Sequence, residues 1–136
     1  MMLKIIFGIF IILHGLVHLF YFGQSLRFFE LTPEFVWPDG GWAFGRLLSV
    51  ENNRKLAAIL LVACMILFLL GGIVLFQNQP WWQQVVILAS IFSSLVFLLF
   101  WDGRFKMLSE KGLVGILLNL AILAVLLVFQ WPAGTG

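Results

Sequence analysis

From Leu56 to Phe76 the chain carries 21 consecutive residues without a charge, and a run of that length has few ways to fold. At ~1.5 Å of rise per residue it crosses a hydrocarbon core of ~30 Å as one helix. Further apolar runs at about 5–22, 85–101 and 113–129 make four such segments in 136 residues. A soluble domain of this size could not bury them: 62% of the residues are hydrophobic, 10% are charged, and the mean hydropathy is +1.09. The expectation is an all-α fold, an integral membrane four-helix bundle, forming a single transmembrane domain over 1–136 with no repeat or linker. The net charge of +2 comes from loop residues. It bears on orientation in the bilayer and gives no reason to expect a nucleic-acid partner.

The first run follows Lys4 and imitates a secretory signal, but no small-x-small cleavage site follows it and two histidines interrupt it. It is read as a retained helix. On a helical period Gly8, Ile11, Gly15, His18 and Phe22 share one stripe, with His14 at its border. Ile5, Ile9, Ile12, Leu16 and Phe20 take the opposite side. Glycines allow a second backbone to approach, so the histidines are expected to face the bundle and the aliphatic side to face lipid.

The connection 23–55 mixes charges with large aromatics, among them Phe28, Phe29, Phe35, Trp37, Trp42 and Phe44. Rings with one wet edge suit the headgroup zone, so this loop is expected to lie against the membrane surface. Trp37-Pro38-Asp39-Gly40-Gly41 signals a turn. Ser49 is an expected N-cap, and Glu51 and Lys55 are spaced for an ion pair on the next helix. Ala57, Cys64 and Gly71 recur every seven residues as a small-residue seam. The lone Cys64 is read as a packed thiol. Trp81 and Trp82 are expected at the interface. Ser90, Ser93 and Ser94 can each return a hydrogen bond to their own helix. On the fourth run Gly112, Gly115, Asn119, Ile122, Leu126 and Gln130 line one face, and Asn119 needs a partner inside the hydrocarbon.

Arg27, Arg46, Arg54, Lys55, Arg104, Lys106 and Lys111 lie in loops 23–55 and 102–112, against Lys4 alone on the other side. The positive-inside rule then makes both loops cytoplasmic and leaves both termini outside. Counted from the cytoplasmic ends at ~1.5 Å per residue, His14, Cys64, Ser90 and Asn119 fall at similar depth, with His18 a turn nearer the cytoplasm beneath Asp102. His14, His18, Ser90, Ser94, Asp102 and Asn119 are therefore the candidate polar seam.

Several chemistries could use such a seam. Two histidines four residues apart can share a metal ion, but a third protein ligand is missing, and no metal site is assigned. A bis-histidine haem needs ligands on facing helices. No cofactor is identified and no nucleophile accompanies the imidazoles, so no enzyme activity is assigned. The reading preferred is a structural or accessory subunit whose polar groups set helix register. Alternatives are proton-linked transport, or binding of a small molecule, lipid or quinone at the first-span histidines. The partners considered are the lipid bilayer, a second copy of the chain and a larger membrane complex.

His14-Gly15 followed by His18-Leu19, the Trp81-Trp82 pair, Trp101-Asp102 and Asn119 in a glycine-led last span resemble a set of small bacterial four-span proteins. Many of these are catalogued as ABC transporter permeases, and the pattern is loosely similar to the DoxX-like families. The resemblance covers nearly the whole chain. It implies a bacterial inner-membrane bundle, with a membrane oxidoreductase component as a further alternative. His18 stands where those families often carry a basic residue shortly after the first-span glycine.

Overall fold

The computed structural model describes residues 2–29, 37–39, 41–101, 103 and 113–128. These residues form helices and turns, with no strand among them. Helix α1 is Met2–Ser25, α2 is Val50–Phe76, α3 is Trp82–Leu99 and α4 is Leu113–Leu123, extended by a π-helical turn over Ala124–Val128. The first three are long and apolar enough to cross a membrane, while the apolar helix Leu113–Val128 is shorter.

Each end has a chemical cause. Ser49 caps α2 by accepting a hydrogen bond from Asn52 N at 3.1 Å. Glu51 and Lys55 pair on its first turns at 3.1 Å. Helices α1 and α2 both stop in a six-residue return, Phe28 N to Gly23 O at 2.9 Å and Gln79 N to Val74 O at 3.0 Å. The residue before each return must take left-handed backbone, which glycine usually supplies. Here Arg27 and Asn78 do so, at φ 61° and 57°. Asn78 tolerates that region, and its Oδ1 accepts from Lys4 Nζ at 2.7 Å. Arg27 is held by its side chain: its guanidinium donates to Gln24 O, Trp37 O and Asp39.

Neighbours in sequence pack against each other, α1 on α2, α2 on α3 and α3 on α4. Glycines set the closest of these contacts. A Cβ on Gly15 would lie 2.7 Å from Phe68 Cβ, and one on Gly72 would lie 2.5 Å from Ile12 Cγ1. Gly71 receives Val86 of α3 in the same way. The expected small-residue seam of α2 is buried in full at Ala57, Cys64 and Gly71.

Four expectations change. Trp82 is buried and begins α3, packed against Phe7 at 6.0 Å, because the core there needs its area; only Trp81 stays exposed. Helix α3 consequently spans 82–99 and not 85–101. Ile12 does not share the lipid side with Ile5, Ile9, Leu16 and Phe20, since it fills the space opened by Gly72. Tyr21, and not Phe22, continues the buried stripe of α1.

The first loop departs from expectation as well. Trp37 is buried at 2% exposure and enters the bundle end among Tyr21, Phe97 and Phe100, with ring centroids 5.6, 5.9 and 6.4 Å away. Its ring finds more apolar contact there than a headgroup layer offers. Trp42 pins the same loop to the end of α3, donating through Nε1 to Leu98 O at 2.6 Å.

Candidate functional site

Two hydrophobic clusters divide the bundle. One gathers Ile11, Phe68, Leu75, Trp82 and Val86, the other Tyr21, Trp37, Leu61, Val96 and Phe97. Between them lies a layer of buried polar groups: His14, His18, Ser90, Ser93 and Asn119.

The hydrogen bonds in this layer have directions fixed by what each atom can do. Asn119 Nδ2 donates to Ser94 Oγ at 3.1 Å, and Ser94 Oγ donates to Ser90 O at 2.9 Å. The carboxamide oxygen is left to accept from His14 Nε2 at 2.7 Å. Neutral His14 therefore carries its proton on Nε2. His18 has the opposite arrangement. Its Nδ1 lies 3.1 Å from both His14 O and Gly15 O, which only accept, so Nδ1 holds the proton. Its Nε2 then accepts from Ser93 Oγ at 2.7 Å.

Aromatic faces clamp both imidazoles. Phe68 meets His14 edge-on at 4.8 Å and His18 at 5.4 Å, while Phe10 stacks on His14 at 6.0 Å and 8°. These contacts leave the rings little freedom to turn. No carboxylate among the described residues bonds to either histidine, so a charge on either would lack a counterion in an apolar surrounding.

Of the six seam candidates, the structure joins His14, Asn119 and Ser94 in one chain of bonds. His18 joins through the backbone of α1 and through Ser93. Ser90 is buried, and its hydroxyl has no hydrogen-bond partner among the described residues. Asp102 lies outside the described residues. Ser93, expected to bond back to its own helix, instead tethers α3 to α1. Its position one turn from Ala89 and Phe97, both buried, could have marked it as inward-facing. Cys64 packs as a buried free thiol beside Ser93.

A second polar group closes the end of the bundle. Asp39 accepts from Arg54 Nε at 2.9 Å and Arg54 NH2 at 2.6 Å, and from Arg27 at 3.1 Å. The carboxylate holds the Arg54 guanidinium above its ordinary pKa, chiefly through these hydrogen bonds. Asn53 donates to Pro38 O at 2.7 Å, and Ser25 donates to Arg54 O at 2.6 Å. Together these bonds fasten the Trp37 turn over the bundle.

Among the described residues no three His, Cys, Asp or Glu side chains come together to hold a metal. Comparisons of the chain with protein-family models, curated proteins and solved structures return no match.

Proposed function

We propose that this chain is a structural or accessory subunit of a bacterial inner membrane, and that its buried polar layer sets the register of the helices. One observation carries the reading: the backbones of α1 and α4 barely approach, yet His14 and Asn119 bond across that gap. In hydrocarbon an unmatched N–H costs several kcal/mol, so each polar side chain selects the one docking that satisfies it. The likeness to small four-span, loosely DoxX-like proteins agrees with this address, and the single domain takes the bilayer and a larger membrane complex as its surroundings. The excess of Lys and Arg in loops 23–55 and 102–112 supports cytoplasmic loops and outer termini.

The test is the stability of Asn119→Ala and Ser93→Ala in bicelles. The reading requires both to unfold at lower SDS fraction than the parent protein; unchanged unfolding in both would remove it. Labelling of single cysteines placed at position 46 and at position 3 from either side of a sealed vesicle tests the orientation.

A second reading is binding of a small membrane-dissolved molecule at the first-span histidines. It is favoured by His14 Nδ1, which is buried and has no hydrogen-bond partner among the described residues.

A further inference from the structure

Where α1 begins and α2 ends, a pocket of about 480 Å³ opens between the two helices, lined by Lys4, Ile5, Leu75, Phe76 and Asn78. One turn along α1 from Lys4, a Cβ on Gly8 would lie 2.6 Å from Phe76 and 3.1 Å from Leu75, so the helices close together beyond the pocket. Lys4 Nζ donates to Asn78 Oδ1 at 2.7 Å. An ammonium has no acceptor, so the atom it meets is the carboxamide oxygen, and Asn78 Nδ2 keeps its N–H groups. Lys4 keeps further N–H groups as well, and no other bond among the described residues uses them. The carbonyls at the end of α2 do not compete for them: Ile73 O, Val74 O and Leu75 O accept from Gln77, Gln79 and Asn78 N. The pocket therefore offers hydrogen-bond donors beside three apolar side chains.

We infer that this pocket seats a phospholipid with a glycerol headgroup, whose phosphodiester oxygens accept from Lys4 and Asn78 and whose chains lie over Ile5, Leu75 and Phe76. Charge complementarity selects the phosphate. The Lys4 ammonium meets only a neutral carboxamide, and neither α1 nor residues 77–84 contain an acid. The divided lining selects a lipid over free phosphate, which has nothing to place against apolar side chains. Ile5 and Phe76 are exposed, so a chain can reach them from the bilayer. Depth agrees: Lys4 is on the first turn of α1 and Asn78 just past the end of α2, where membrane spans meet the headgroup layer. The absence of acids also selects among lipids. An ethanolamine head brings an ammonium that finds no carboxylate here, whereas glycerol brings hydroxyls and no positive charge. The site lies at the end of α1, away from the histidine layer, and is independent of the register reading.

The probe is palmitoyl-oleoyl phosphatidylglycerol, titrated into the full chain in detergent and counted on it by native mass spectrometry. Phosphatidylethanolamine with the same chains and inorganic phosphate are the comparisons. The parent protein binds phosphatidylglycerol more tightly than phosphatidylethanolamine, and phosphate does not displace it. Lys4→Gln weakens binding about tenfold, the ratio that ~1.4 kcal/mol gives, near one hydrogen bond to a charged group, and Lys4→Arg restores it. Asn78→Gly removes the carboxamide and keeps the left-handed turn, which glycine adopts freely, so it binds the lipid more weakly while unfolding no earlier in SDS. Arg46→Gln removes an exposed charge from the first loop and leaves binding unchanged, which separates the pocket from the general pull of a basic protein. An unaltered affinity in Lys4→Gln overturns the site, and so does an equal fall in Arg46→Gln. Equal binding of the two lipids overturns the headgroup assignment, and displacement by phosphate overturns the lipid.

Discussion

His14 Nε2 and Asn119 Oδ1 lie 2.7 Å apart although 105 residues separate them in the chain. The bond joins α1 and α4, which otherwise share a cleft and little backbone contact. Removing it with Asn119→Ala strands the Nε2 proton of His14 and frees Ser94 from its donor. Interhelical hydrogen bonds in membranes average ~0.6 kcal/mol, but a stranded buried donor costs ~1–3, so the loss is expected near 1–2 kcal/mol. SDS titration in bicelles measures it. Ser93→Ala should cost less, about 1 kcal/mol, because His18 keeps its Nδ1 bonds to the backbone.

Two glycines should respond oppositely to one methyl group. At Gly15 a Cβ would sit 2.7 Å from Phe68 Cβ, which is fixed by its own helix. Gly15→Ala is therefore expected to destabilise by about 1–3 kcal/mol through overpacking. At Gly115 the nearest atom is Phe97 Cε2 at 3.4 Å, ordinary contact, and alanine is the better helix former by ~1 kcal/mol. Gly115→Ala should be neutral or stabilising in the same unfolding assay.

The adjacent tryptophans separate in the same manner. Trp82 is 1% exposed and lies in the cluster with Phe68, Leu75 and Val86, whereas Trp81 is 45% exposed. Trp82→Ala should lose ~3–5 kcal/mol and yield little folded protein, with Trp81→Ala close to the parent. Expression level together with intrinsic fluorescence checks both.

Arg27 takes left-handed backbone in the return that ends α1, and the bonds of its guanidinium offset the cost. Arg27→Ala loses the bonds and keeps the backbone cost, while Arg27→Gly loses the bonds and relieves it, so the glycine variant should be more stable by about 1 kcal/mol. Thermal melts of the two variants decide this.

The pairing with Asp39 also fixes a pH response. The folded-state pKa of Arg54 is raised, so the stability it lends is present at every pH below its ordinary value and is lost only in stronger alkali. Arg54 thus adds no slope to stability between pH 5 and 9. Proteolysis of the first loop, followed over that range, should show no change attributable to it, and Asp39→Asn should accelerate cleavage at pH 7.

Apolar periodicity made the all-α class, the helix segments and the inward turn of His14, His18 and Asn119 legible, because hydrocarbon leaves a backbone few options. Partners were less legible. Ser93 and Ser94 are adjacent and chemically identical, yet one tethers α1 and the other supports Asn119. Only the rotation of α3 distinguishes them, and that rotation is the one that buries Trp82, Val86, Ala89, Val96 and Phe97. Trp37 and Trp82 were hidden for a related reason: an indole beside charges or glutamines suits a headgroup layer equally well, and the space that admits it is made by other helices.

The order in which neighbours pack has a consequence for biogenesis. Before α4 arrives, α1 would hold the His14 Nε2 proton without the carboxamide that receives it, in an oily surrounding. Asn119 completes the circuit, so a helix made later supplies the acceptor that an earlier one requires. A chain cut short ahead of residue 113 would carry an exposed polar defect along α1 for membrane quality control to recognise.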